Sequence, residues 1–223
     1  MIQALVFDLD DTLYPERDFV ASGYRAVAQH VADTYGCNFD HAISIMMAAL
    51  GTLGKQGVFP ALLASFPEVS IPLDEVIEVY RRHHPTICLY PGYMGLLKGL
   101  KQCYRLGVIT DGLPDVQQRK VKALGLGALM EKIIYTWEYG PEKEKPHPLS
   151  FSLMLESLGA DPSSTLFVGD NPAKDCKGAH GAGMRYAQIH QRAQQMNRPA
   201  IEETPEFIID TLFQLPQLLQ QIG

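Results

Sequence analysis

A series of short, continuously apolar runs constrains the fold most strongly: residues 4–9, 106–110, 133–136, 165–168 and, more weakly, 186–189, most of them followed by a helical pattern. A strand with one wet face alternates apolar and polar residues, whereas a strand covered on both faces is apolar throughout. These runs therefore predict a parallel sheet with helices on both sides. Crossover helices fit the intervals: 113–124 stops at Gly125 and Gly127, 149–158 stops at Gly159, and 172–182 opens at Pro172. A last strand at 207–209 and a closing helix follow the polar stretch 191–203. The expected class is α/β, a doubly wound, Rossmann-like parallel sheet.

One interval breaks the rhythm. Between residues 15 and 88 no strand pattern occurs, but amphipathic helices do. Asp18 can cap one whose apolar face carries Val20, Tyr24, Val27, Val31 and Tyr35 before Gly36, and further helices fit 40–50 and 73–83. This predicts an all-helical subdomain, 15–88, inserted into a catalytic core made of 1–14 and 89–223.

Charge and composition narrow the function. Asp and Glu outnumber Lys and Arg by 25 to 19, a net charge of −6, which argues against a partner that is a nucleic acid polymer or a membrane surface. Cys37, Cys88, Cys103 and Cys176 form no close pair, so no zinc knuckle or dithiol motif is expected and they read as reduced core thiols. The opening MIQALVFDLDD lacks a charged leader and a cleavage site, and no apolar run approaches the ~20 residues that span a bilayer. The expected compartment is the cytoplasm.

The first apolar run ends in three carboxylates within four positions, Asp8, Asp10 and Asp11 of LVFDLDDTLYP. Along a strand, Asp8 and Asp10 point to one side and Leu9 to the other. Two carboxylates so close do not both ionise unless a cation lies between them or one keeps a proton. Oxygen donors without a nearby His or Cys favour Mg²⁺. LFVGDNPAKD ends another buried run at Gly169 and Asp170, with Asp175 one turn into the next helix. Ligands of doubly wound sheets gather at the carboxyl ends of strands, so Asp8, Asp10 and Asp170 are expected to converge if their strands are neighbours. Taken singly, Asp170 reads equally well as a helix N-cap and Asp175 as a first-turn acid that complements the helix dipole.

Two further segments suit an anion. VITDG puts Thr110 at a strand tip, followed by Asp111 and Gly112, where a hydroxyl and backbone N–H groups suit a phosphoryl oxygen. EKEKPHPLSF puts Lys145 before Pro146, just ahead of a helix start. Singly, Thr110 is an ordinary β-branched strand residue and Lys145 a solvated loop lysine.

In order, DLDDT, the strand ending at Thr110, KPHP and GDNPAKD resemble the four motifs of the haloacid dehalogenase superfamily over essentially the whole chain. The helical block after the first motif resembles the cap of the subfamily that carries it there. The resemblance implies that Asp8 is the nucleophile, forming an aspartyl-phosphate, and that Asp10 is the general acid/base. It implies that Thr12 braces this loop, that Thr110 and Lys145 hold the phosphate with Asp111 beside them, and that Asp175 supports the metal from outside or holds Lys145. Asp8, Asp170 and the backbone carbonyl of Asp10 would then ligate Mg²⁺. The implied activity is hydrolysis of a small phosphorylated metabolite, with sugar phosphates and nucleotide monophosphates as candidates. Dehalogenases of this superfamily lack the second aspartate because a halide leaves without a proton; here Asp10 is present. On this reading Asp10 stays protonated for the first step and acts as base in the second, and the cap closes over the substrate to exclude water.

Other readings remain at this stage. A phosphomutase keeps the same motifs. A phospho-acceptor signalling module of the receiver type also groups acids, a Thr and a Lys around Mg²⁺, but is shorter and has no helical block after its first strand. A binding protein without turnover would not be expected to keep every motif position filled. GTLGKQG (51–57) follows no strand and has no Ser or Thr after Lys55, so it reads as a turn between cap helices. GAHGAG (178–183) has its glycines in the wrong order for a dinucleotide loop and reads as close helix packing. His83 and His84 suit surface or hinge positions and His147 a loop, while Tyr14, Arg17, Lys55 and Phe59 are candidates to line the entrance. The ester and the oligomeric state are left open.

Overall fold

A computed structural model of the chain describes residues 1–190 and 204–222. The strands are β1 (Ala4–Phe7), β2 (Arg105–Thr110), β3 (Lys132–Tyr135), β4 (Thr165–Gly169), β5 (Arg185–Ile189) and β6 (Phe207–Ile209). They form one sheet in the order β3-β2-β1-β4-β5-β6, parallel throughout. β1 and β4 are buried at every residue, as their unbroken apolar runs require. The helices are α1 (Glu16–Tyr35), α2 (Phe39–Ala64), α3 (Leu73–Arg82), α4 (Tyr93–Leu100), α5 (Pro114–Ala123), α6 (Pro148–Leu158), α7 (Lys177–Gly181) and α8 (Leu215–Ile222). A single π-type turn, Pro172–Cys176, leads into α7. The polar stretch 191–203 lies outside the described residues.

The chain divides into two compact units, one of Met1–Glu16 with Cys88–Gly223 and one of Arg17–Ile87. In the first, Val6, Ile109, Phe151, Met154, Phe167 and Tyr186 belong to one buried cluster. Gly178 of α7 lies against the Phe151 ring of α6, where a Cβ would overlap it, so of the glycines of GAHGAG it is Gly178 that serves close helix packing, whereas a Cβ on Gly181 would meet nothing. Of the cysteines only Cys37 and Cys176 are buried; Cys88 and Cys103 are exposed and are not core thiols.

The second unit is helical, with a core of Val20, Tyr24, Val27, Val31, Met46 and Leu62 among others. Phe59 packs its ring against Tyr24 and Tyr80, at centroid distances of 6.2 and 5.4 Å. His83 is buried, with Nδ1 2.6 Å from the Tyr80 carbonyl, and so is not a surface residue. α1 starts at Glu16, ahead of Asp18, and the Asp11 carboxylate accepts from the Glu16 N–H at 2.7 Å. GTLGKQG holds the expected break: within Phe39–Ala64 two helical stretches meet at a kink at Gly54, with φ 70° and ψ 179°, and Val58 and Leu62 beyond it bury into the same core as Ala42 and Met46 before it. Taken as one helix, α2 is by length and composition apolar enough to cross a membrane, but it is interrupted at Gly54 and its buried residues belong to the core of the helical unit.

Candidate active site

The strand register assembles the site. Phe7 of β1 sits opposite Val108 of β2 on one side and Val168 of β4 on the other, and the Asp8 N–H donates to the Val168 carbonyl at 2.9 Å. Asp8 therefore leaves the sheet between Thr110 and Asp170, at the carboxyl ends of three adjacent strands. β3 and β5 lie outside this trio.

Asp8 is 7% exposed and Lys145 3%. Lys145 Nζ lies 2.5 Å from Asp8 Oδ1 and 2.7 Å from Asp175 Oδ1; the Lys145–Pro146 peptide bond is cis. Thr12 donates its hydroxyl to Asp8 Oδ2 at 3.4 Å. One carboxylate oxygen from each of Asp8, Asp170 and Asp175 lies within 4.8 Å of the other two. Burial pushes the Asp8 carboxyl well above its usual range; Lys145 pulls it down, and the Asp175 and Asp170 charges push it up again. Burial alone would lower Lys145, but Asp175, Asp8 and Asp111 outweigh it and hold the ammonium well above its ordinary value. The fully buried Asp175 also accepts from the Asn171 N–H at 3.0 Å. Both its oxygens are thus engaged, one by the lysine and one by the backbone.

Asp10 goes elsewhere. Strand alternation would put its carboxylate beside that of Asp8, but β1 ends at Phe7 and the chain turns, with Asp11 at φ 58° and the Leu13 N–H bonded to the Leu9 carbonyl at 3.0 Å. The Asp10 carboxylate faces the first turns of α5 instead. Lys120 Nζ lies 2.8 Å from Oδ1 and 2.9 Å from Oδ2, Gln117 Nε2 donates to Oδ2 at 3.0 Å, and the Tyr14 hydroxyl donates to Oδ1. Burial opposes ionisation of this carboxyl, yet the Lys120 charge and the bonds from Lys120, Tyr14 and Gln117 prevail and hold it below its ordinary range. The group of three acids that could hold a metal ion thus contains Asp175 where sequence spacing suggested the side chain of Asp10.

Thr110 is 1% exposed, and its Oγ1 accepts from Gln117 Nε2 at 2.5 Å. The Asp111 side chain is fully committed. Oδ1 accepts from Thr136 Oγ1 at 2.8 Å and from the Lys145 N–H at 3.0 Å, and Oδ2 lies 3.2 Å from Lys174 Nζ. A carboxylate in that setting ties the Lys145 loop to β2, and what position 111 can offer a phosphoryl oxygen is its backbone N–H.

Tyr14, Gln117, Lys120 and Lys174 are the residues that sequence reasoning missed or misplaced. Tyr14 is fully buried on Asp10 rather than at an entrance. A buried Lys and Gln three apart on a polar helix gave a signal only in retrospect, since either could equally have faced solvent. His147 caps α6, accepting from the Leu149 N–H at 3.2 Å.

Known proteins resemble this chain over most of its length. A family model for the haloacid dehalogenase-like hydrolases matches residues 2–183. The glyceraldehyde 3-phosphate phosphatase of Methanocaldococcus jannaschii is 30% identical over 197 residues, covering 85% of each chain. That of Methanopyrus kandleri is 26% identical over 247 residues, covering 100% of this chain and 99% of its own. Among solved structures, the 2-haloacid dehalogenase of Pseudomonas syringae superposes over 100% of both chains with a TM-score of 0.70 and 26% identity. With a match over most of its length to one family, and relatives that span it end to end, the chain belongs to the haloacid dehalogenase-like hydrolases.

Proposed function

We infer that the protein is a Mg²⁺-dependent phosphomonoesterase that works through an aspartyl-phosphate on Asp8. The observation that supports this most directly is the shared position of a nucleophile, a cationic phosphate holder and an oxygen-donor group: Asp8, Lys145, and the carboxylates of Asp8, Asp170 and Asp175. Asp10 weighs against dehalogenation, since a halide needs no proton whereas an alkoxide does.

The donor set fits a hard divalent cation. It is oxygen only and strongly acidic, and Asp8 resists ionisation without added positive charge. Asp8 and Asp170 would hold Mg²⁺ directly, with Asp175 orienting Lys145 beside it. When bound, the ion supplies the positive charge that lets an anionic nucleophile and an anionic ester approach. The chain's own groups carry the proton and bond changes. An Asp8 oxygen bonds to phosphorus as the ester P–O bond breaks, and the leaving oxygen takes a proton from the protonated Asp10. Water then attacks phosphorus, gives a proton to Asp10 and releases Asp8. The proton that Asp10 gains is the one offered to the next leaving group, so the cycle balances. Lys145 and the Thr110 hydroxyl hold the phosphoryl oxygens through both steps.

Catalysis in the α/β unit, and choice of leaving group by the helical unit acting as a cap, form part of this proposal. The substrate would be a small phosphorylated metabolite. The test is hydrolysis of p-nitrophenyl phosphate with Mg²⁺: Asp8→Asn should abolish turnover while the thermal midpoint stays close to wild type. Turnover that survives this change removes Asp8 from its role. A panel of sugar phosphates, nucleotides and phosphorylated acids would then rank the esters.

A further inference from the structure

Between the two ends of the site lies a buried polar contact that the reaction scheme above leaves unused. Gln117 and Lys120 are 2% and 4% exposed and sit three residues apart on α5, so both project from one face. Gln117 Nε2 bridges two residues of the site, donating to Thr110 Oγ1 at 2.5 Å and to Asp10 Oδ2 at 3.0 Å. Lys120 Nζ straddles both oxygens of the same carboxylate. Burying an amide and an ammonium is costly unless each is paired, and here Gln117 and Lys120 both pair with residues placed at the phosphate and proton-transfer ends of the site.

The chemistry of these groups fixes the direction of each hydrogen bond. A carboxylate only accepts, so the amide of Gln117 must turn its NH₂ end toward Asp10; reversed, two acceptors would face each other. The same NH₂ group then donates its second hydrogen to Thr110 Oγ1. With that lone pair occupied by a donor, the Thr110 hydroxyl hydrogen is directed away from Gln117 and is left to donate. A phosphoryl oxygen, which only accepts, is the matching partner.

We propose that Gln117 and Lys120 are positioning residues for the phosphoryl transfer: Gln117 orients the Thr110 hydroxyl as a donor to the phosphoryl group, and Lys120 with Gln117 holds the Asp10 side chain in one orientation, linked through Gln117 to Thr110, for the proton transfers it makes. The proposal rests on the phosphatase reading and deepens it. It assigns α5 a function that no sequence motif assigns, and it makes one amide the link between the phosphate end and the proton-transfer end of the site.

A double-mutant cycle tests the first half. Thr110→Val should lower kcat/KM for p-nitrophenyl phosphate by about a hundredfold, as loss of one donor to a developing oxyanion does. Gln117→Leu should lower it about tenfold, the rate equivalent of one hydrogen bond. Since Gln117 reaches the phosphoryl group through Thr110 and keeps only its bond to Asp10 when that hydroxyl is gone, adding Gln117→Leu to Thr110→Val should cost clearly less than the roughly tenfold it costs alone. Effects that multiply overturn the coupling. If Gln117→Leu does not fold, the near-isosteric Gln117→Met carries the same cycle. For the second half, Lys120→Met should reduce kcat far more for ethyl phosphate, whose leaving group needs a proton, than for p-nitrophenyl phosphate, and Lys120→Arg should recover part of the loss. A merely structural lysine would slow both esters equally, and that outcome overturns its positioning role. Should the wild type hydrolyse neither ester with Mg²⁺, the phosphatase reading falls and this proposal with it, whereas an active wild type with multiplicative, ester-independent losses overturns this proposal alone.

Discussion

Lys145 concentrates the electrostatics of the site in one side chain. Its Nζ lies between Asp8 and Asp175, and its backbone N–H is tied to Asp111. Removing one partner of a buried ion pair strands the others, which costs about 3–5 kcal/mol. Lys145→Met should therefore unfold at clearly lower urea concentration than wild type in chelator, and Mg²⁺ should recover part of the loss by offsetting the stranded carboxylates. An unchanged midpoint in chelator would mean that Asp8 and Asp175 do not depend on the lysine. At this scale the motif residues were legible because their order along the chain is a local property. Asp10 shows where that stops. Its position in DLDDT was plain, but its direction depended on where β1 ended and on the left-handed Asp11, neither of which strand alternation contains.

Elements are held by contacts that tolerate little change. In α7 a Cβ on Gly178 would overlap the Phe151 ring of α6. Gly178→Ala should thus destabilise the protein by about 1–3 kcal/mol, as overpacking does, and urea unfolding would measure it; a neutral or stabilising result would show that α7 can shift at no cost. In the helical unit, Glu75 of α3 ties to α1, with Oε1 2.5 Å from His30 Nε2 and Oε2 accepting from the Tyr35 hydroxyl at 2.9 Å. The bond from His30, followed by that from Tyr35, holds the Glu75 carboxyl below its ordinary value of 4.5. A lowered carboxyl contributes stability above its unfolded pKa, and the contribution is lost as pH falls through the folded one. The thermal midpoint should therefore fall on acidification below about pH 4.5, and Glu75→Gln should flatten that slope; an unaltered slope would assign it to other carboxylates. Helix α2 marks both the reach and the limit of local reading: the three glycines of GTLGKQG suggested a turn and the helical path breaks at Gly54, whereas the burial of Val58 and Leu62 in the same core as Ala42 and Met46 is decided by packing.

Taken whole, the molecule brings Asp8 and Asp170 together across 162 residues of chain through the pairing of β1 with β4. A ligand that binds only this arrangement stabilises it by mass action, by about 2.7 kcal/mol at a hundredfold excess over Kd. Mg²⁺ should raise the thermal midpoint of the wild type, and Asp170→Asn should remove most of that shift. A midpoint indifferent to Mg²⁺ would rule out the acidic group as the ion's site. The sequence by itself determined the parallel α/β core, the helical block inside it and the motif residues, because continuous apolar runs, caps and short motifs are all properties of neighbouring residues. Only the tertiary structure decided that Gln117 and Lys120 reach back more than a hundred residues to Asp10, and that Asp175 stands among the acids where the side chain of Asp10 was expected. Which face of a helix meets which loop is set by packing across the sheet, and side-chain direction at a turn by a single backbone angle; neither leaves a periodic trace in the chain.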